Sequence, residues 1–361
     1  MCAAHNSTAK TIGDAGVIIP APMFIRILKA IILHCARAAL VDFSPLFKYG
    51  IQGPQAGAYL MRVLSLNMLP PAGRAARVMV CDDDGFLLAD GILHHMWTDE
   101  YRLTLEVSLM SWLADSLSGF DAVLSDITTH TGILALAGPS ACAILSAAGF
   151  TGIETARLFD IRSFNISDMA LNVVRTAPFG GVGYEIWVEE RQALVLWDRL
   201  MRAGGVFGLS QAGLIAMDVC RLEYANARAN RDYANPEISP AQDRPLLPPN
   251  ALSYGRFRHV VPGGNINNEW RLVGASCTEP GMHALIGLEM NGKQTGLITS
   301  QLYSPGLGVM MAHIILPASL PLAAQAHFIT AGKNAQELKH LGVKWHDGPF
   351  LADAEHAHAS L

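Results

Sequence analysis

The string GYEIWVE at 183–189 places one carboxylate, Glu185, inside an otherwise apolar run. A strand of this composition turns a face to a core, and a carboxyl on that face needs partners. Its two acceptor oxygens lie side by side, and charge-assisted hydrogen bonds to them outdo neutral ones. The alternative is the exposed face of an edge strand. Arg221 and Glu223 in DVCRLE lie on a predicted helix, either serving a ligand or forming solvated helix charges. His94 and His95 adjoin on a strand candidate, so only one of them faces inward. The stretch EYANARANRDYANPE, 223–237, is polar and rich in Asn and Arg. Its Arg228, Arg231 and Tyr233 suit an acidic substrate or a solvated loop.

Other chemistries find little support. The six Cys are scattered with no CxxC pair, which fits a reducing compartment better than a disulfide framework. The alternating His356 and His358 near the C-terminus belong to no zinc-type set, so no metal site is expected. A net charge of −5 without a basic stripe argues against nucleic acid as a partner. The apolar segment 24–40, FIRILKAIILHCARAAL, carries Arg26, Lys29, His34 and Arg37 at near-helical intervals. It therefore predicts an amphipathic helix packed on the protein rather than a membrane span. A cytoplasmic location is the expectation.

The elements that must position these residues follow from periodicity. A length of 361 residues predicts two or three domains. IQGPQAGAYL at 51–60 and LAGPSACAIL at 136–145 repeat one pattern, a strand leaving through Gly-Pro into a small-residue helix. Between the repeats, ARVMVC and FLLADGILHHMW read as strands around the turn DDDG, followed by a strand YRLTLEV and a helix in SLMSWLADSLSGF. LNVVRTAPFGGVGYEIWVEE gives two strands about a Gly-rich turn, and helices follow in RQALVLWDRLMRAGG and SQAGLIAMDVCRLEYANARA. The Pro-rich NPEISPAQDRPLLPPN predicts a linker before a strand-rich C-terminal region.

In this order the strings resemble one superfamily, over about residues 38–352. DFSPLFKYGIQGPQAGAYL, DDDGFLLADGIL, GILALAGPSACAIL, VVRTAPFGGVGYEIWVE, GLSQAGLIAMDVCRLE and GLITSQLYSPGLGVMMAHIIL are similar to the T protein of the glycine cleavage system and its tetrahydrofolate-dependent demethylase relatives. The resemblance implies an α+β fold, a three-domain cloverleaf of the aminomethyltransferase type with a barrel-like C-terminal domain. It divides the chain into a discontinuous folate-binding domain (1–50 plus 140–232), an inserted second domain (51–139) and a β-rich third (233–361).

The resemblance further implies tetrahydrofolate as cofactor. Glu185 then grips the pterin amino edge, Arg221 the folate tail, and Phe179 and Tyr184 line the ring. Arg228, Arg231 and Tyr233 line the substrate pocket, and Asp90, His95 and Tyr224 are candidate catalytic helpers. Two departures matter. Ala89 stands where the aminomethyltransferases have the first of two aspartates, and RTAPFGG at 175–181 lacks a tyrosine and an acidic residue of the family turn. Both count against aminomethyl transfer and are compatible with a simpler displacement. In it, N5 attacks the methyl carbon of a small-molecule methyl donor, such as a methoxyaryl acid, a sulfonium compound or a halomethane, and the leaving group departs. The alternatives are aminomethyl transfer and a non-catalytic folate binder.

Overall fold

The computed structural model describes residues 9–12, 17–20, 37–64, 66, 68–82, 87–178, 181–229, 232, 270–278, 285–317, 319–322, 325–331 and 338–346. Two sheets dominate the first two-thirds. One has six strands in the order Ile161–Ile166, Met169–Thr176, Gly183–Glu189, Thr131–Ala137, Ala38–Asp42, Leu209–Gln211. Its pairings are antiparallel except the last, which is parallel. The other is antiparallel with five strands, in the order Arg74–Cys81, Leu87–Trp97, Glu100–Leu105, Phe47–Gln52, Val123–Asp126. The chain changes sheet at 43–46 and again at 127–130.

Ala38–Leu40, the end of the helix expected over 24–40, lies instead in a strand, and the part of that segment up to residue 36 falls outside the described residues. The physical reason is burial on both sides. A central strand covered on each face reads as an unbroken apolar run, without the alternation that marks a half-buried one. Ala38, Ala39, Leu40 and Val41 are all buried, alternately into two different clusters.

The Gly-Pro repeats perform one geometric task twice. Gly53 has φ of 131° and Gly138 φ of 113°, backbone that favours glycine. A Cβ on Gly53 would stand 2.9 Å from the Asp121 carbonyl oxygen, and one on Gly138 2.7 Å from that of Arg37. Each glycine thus lets a strand end pass against its neighbour before the helices Ala56–Val63 and Ala141–Ala147 begin.

One face of the six-stranded sheet is covered by Ala141–Ala147 and by Ala193–Gly204, whose Leu196, Leu200 and Gly204 recur at helical spacing and are buried. The other face looks to the molecular centre. There Ala39, Val41, Ile133, Ala135, Val174 and Trp187 pack with Ala75 and Ile92 of the five-stranded sheet and Met217 of helix Leu214–Glu223.

The C-terminal region is strand-rich, as expected. Two four-stranded sheets, Leu297–Ser304, Val309–Pro317, Trp270–Cys277, Lys344–His346 and Lys293–Gln294, Leu285–Met290, Ala326–Ala331, Leu338–Gly342, close on one core that includes Phe328 and Leu288. No helix among the described residues is long and apolar enough to cross a membrane.

Candidate functional site

Glu185 pairs with Val174 on one side and Ala135 on the other, inside the six-stranded sheet and not at its edge. Alternation along the strand sends Tyr184, Ile186 and Val188 under the helices, and Glu185 and Trp187 to the centre. Glu185 is 3% exposed. Burial pushes its pKa from 4.5 up to about 7, against the opposing pull of the Thr176 hydroxyl and the Arg77 guanidinium. Thr176 favours the ionised form, yet neither its Oγ1 nor Glu185 Oε2 has a hydrogen-bond partner in good geometry.

Two more orphaned polar atoms lie where the two sheets face each other. Trp187 Nε1 and His94 Nε2 are buried without partners, and the two rings meet edge to face with centroids 4.8 Å apart. The guanidinium of Arg102 lies 5.5 Å over the Trp187 ring. Buried polar atoms are normally paired, so three unpaired ones on this sheet face, with His94 Nε2 opposite them on the five-stranded sheet, mark a place that a polar ligand completes. Glu185, with its pKa displaced by burial at the meeting of several elements, has the character of a functional group.

The histidine pair resolves against the expectation. His95 points away from the centre: its ring stacks on Tyr101 with centroids 4.3 Å apart, and Nδ1 lies 2.7 Å from the Pro70 carbonyl oxygen. His94 takes the inward place, because residues 90, 92 and 94 share the face opposite the core residues Ala89 and Leu93. The same parity puts Asp90 on the central side. It also sets Ala89, 1% exposed, within the core of the five-stranded sheet and away from the central side.

Arg221 is in the right region with a different task. It is fully buried, and all three guanidinium nitrogens are engaged: Nε with Asp218 at 2.5 Å, Nη1 with Asp232 at 2.6 Å, and Nη2 with Ser300 Oγ at 3.0 Å. Nη1 also reaches the Asn226 carbonyl oxygen at 3.3 Å, so four of the five N–H donors are engaged and a two-pronged grip on a ligand carboxylate would displace an existing partner. Asp232 is also buried, with His313 Nδ1 3.0 Å away and the Arg228 amide donating to it at 2.9 Å.

Arg228, expected in a substrate pocket, pairs with Glu106 at 2.6 Å. Tyr184 lies on the helix side of the sheet, where burial and its hydrogen bond to Cys142 raise its pKa, so it cannot share a ring with Glu185. Tyr224 caps helix Leu214–Glu223, and a Cβ on Gly181 would stand 3.2 Å from its Oη, which places the phenol beside the 175–181 turn. Phe179, Arg231 and Tyr233 lie outside the described residues.

Sequence reasoning passed over Thr176, Trp187, Arg77 and Asp232. For Trp187 a signal existed: it stands two residues from Glu185 in one strand and so shares its face. Arg77 and Asp232 come to the centre through sheet pairing and a turn that no local pattern specifies.

Comparison with known proteins places this geometry in context. The GCVT N-terminal domain family matches residues 32–243. An aminomethyltransferase of Saccharopolyspora erythraea is 26% identical over 299 residues, 77% of this chain and 78% of that protein. One from Thermotoga maritima is 24% identical over 336 residues, 90% of each. The crystal structure of glycine cleavage system aminomethyltransferase T from Bartonella henselae superposes with a TM-score of 0.69 at 22% identity, covering 95% of this chain and 94% of that one, and so shares the fold.

Proposed function

The chain belongs to the GCVT N-terminal domain family, within the glycine cleavage T protein superfamily, and on that footing we propose that it moves a one-carbon group onto N5 of tetrahydrofolate. The reading is carried by one observation: the buried Glu185 carboxyl keeps an unpartnered oxygen on the central face. That wall suits a reduced pterin, whose amino group and ring N–H pair with two carboxylate oxygens.

When bound, tetrahydrofolate supplies the nitrogen that accepts the carbon. Glu185 orients the ring and gives up its proton as two N–H donors favour the ionised form. The positive charge of Arg77 supports that ionisation. Asp90, on the central side of its strand, is the group to hold or move a proton near the reacting atoms.

For the donor, the proposal names an activated methyl group, on a methoxyaryl acid, a methylated sulfonium compound or a halomethane. Its support is the 175–181 turn, which lacks the tyrosine and acid of the aminomethyl branch. A second reading, aminomethyl transfer, is favoured by the central placement of Asp90 and by the core position of Ala89. Anaerobic incubation of the protein with tetrahydrofolate and each methyl-donor class, and separately with an S-aminomethyl thioether that would release ammonia, followed by mass spectrometry, separates them. Methyl-tetrahydrofolate supports the first, methylene-tetrahydrofolate the second, and tight binding without either product means a folate-binding protein without turnover. Glu185→Ala should weaken folate binding more than about tenfold. Unchanged affinity by calorimetry removes the site assignment.

A further inference from the structure

Beside Glu185 the wall holds a donor that the proposed function leaves unused. The indole N–H of Trp187 has one direction and no acceptor capacity. It is buried, with the residue 2% exposed, and has no partner. It projects from the same strand face as Glu185, with Cα atoms roughly 7 Å apart, within the span of a fused two-ring heterocycle. The ring is fixed from two sides, by His94 edge to face at 4.8 Å and by the Arg102 guanidinium at 5.5 Å.

His94 Nδ1 lies 3.3 Å from the carbonyl oxygen of Arg102, which can only accept, so Nδ1 carries the proton and Nε2 is a bare acceptor. Burial, opposed by that carbonyl, pushes the His94 pKa down to about 3, which keeps the ring neutral. The other free donor, the Thr176 hydroxyl, already favours the Glu185 carboxylate.

The wall therefore presents acceptors at Glu185 and a fixed donor at Trp187. An N–H edge alone would satisfy the first and leave the second orphaned. We propose that Trp187 is a specificity-determining residue of the Glu185 site, donating its indole N–H to a carbonyl oxygen adjacent to the N–H edge that Glu185 holds. The ligand class is then a lactam-containing heterocycle, with N–H and C=O side by side, and not merely an amino-heterocycle. This rests on the folate reading, because the 4-oxo group of a reduced pterin adjoins its N3–H.

The test is an amide and indole proton–nitrogen correlation spectrum of the full chain, titrated anaerobically with tetrahydrofolate. The protein has six tryptophans, and Trp187→Phe identifies the Trp187 indole peak by its loss. Ligand should move that peak downfield and slow its exchange with water, and Trp187→Phe should lose about fivefold to tenfold in calorimetric affinity. A folate complex that depends on Glu185 but leaves the indole peak in place overturns the proposal while sparing the folate reading. So does an indole proton already downfield and protected without ligand, since Trp187 would then be satisfied internally. No binding of tetrahydrofolate by the wild-type chain overturns both. If Trp187→Phe fails to fold, a selectively labelled wild-type sample with assignment through neighbouring protons reads the same shift.

Discussion

Arg221 and Asp232 form an ion pair buried from solvent on both sides, Nη1 to Oδ2 at 2.6 Å, and it ties helix Leu214–Glu223 to the strand-rich C-terminal sheets. Asp232 also faces His313, and Arg221 reaches Ser300, both in the sheet that contains Val309–Pro317. Glu223 adds a third link, with Ser304 Oγ donating to its carboxylate at 2.5 Å. Charge thus joins the helix to the C-terminal sheet, where the sequence suggested a ligand arginine.

From this it follows that Asp232→Ala should destabilise the fold by about 3–5 kcal/mol, the loss typical of a buried pair broken on one side. Burial alone would raise the Asp232 pKa, but His313 and Arg221 outweigh it and hold the group below its ordinary 3.8. A depressed folded pKa gives stability that is present above pH 4 and lost as pH falls through the folded value. Acid unfolding of the wild type should therefore be steeper below pH 4 than that of Asp232→Asn. Chemical denaturation across pH checks both. An Arg221→Met variant that keeps its stability but loses folate affinity would restore the ligand role.

Glu185 has the opposite sign. Its folded pKa, about 7, exceeds the ordinary 4.5, so the native state binds more protons between those values and stability declines as pH rises through that window. Above pH 7 the cost levels off at about 3 kcal/mol or less. Glu185→Gln should thus raise Tm at pH 8, lose that advantage by pH 4.5, and bind tetrahydrofolate more weakly at both. A variant less stable than wild type at pH 8 would show that the carboxylate already has full partners.

The placement of Ala89 predicts that restoring an aspartate there fails. Ala89→Asp would bury a carboxyl among Leu93, Val80 and Leu103 in the core of the five-stranded sheet. The expected result is a loss of about 3 kcal/mol or more, with no gain in methylene-tetrahydrofolate formation. A stable variant with new aminomethyl activity would put residue 89 at the centre after all.

The Gly-Pro exits give a cleaner test of backbone. Gly138→Ala meets both a φ of 113° and a carbonyl oxygen 2.7 Å from the new Cβ, and should cost about 1–3 kcal/mol in equilibrium unfolding. Gly152→Ala, with φ of 87° and nothing within 4 Å, carries only the conformational part and should cost less. Equal losses would mean that the close approach at Gly138 contributes nothing.

Much of this was legible locally. Periodicity and Gly-Pro punctuation located most helices and strands, because an alternating strand or an amphipathic helix writes its burial into neighbouring residues. Glu185 could be singled out because a charge in an apolar strand contradicts its surroundings. What the sequence left undecided was the facing of adjacent residues and the identity of partners. Whether His94 or His95 turns inward depends on which side of its strand the core lies, and a one-residue choice reverses it. Whether Arg221 serves a ligand depends on Asp232 and Ser300, the latter 79 positions away. Such contacts form only when sheets close on one another. The tertiary structure alone therefore decided that the arginine braces the fold while a tryptophan beside the carboxylate remains unpaired.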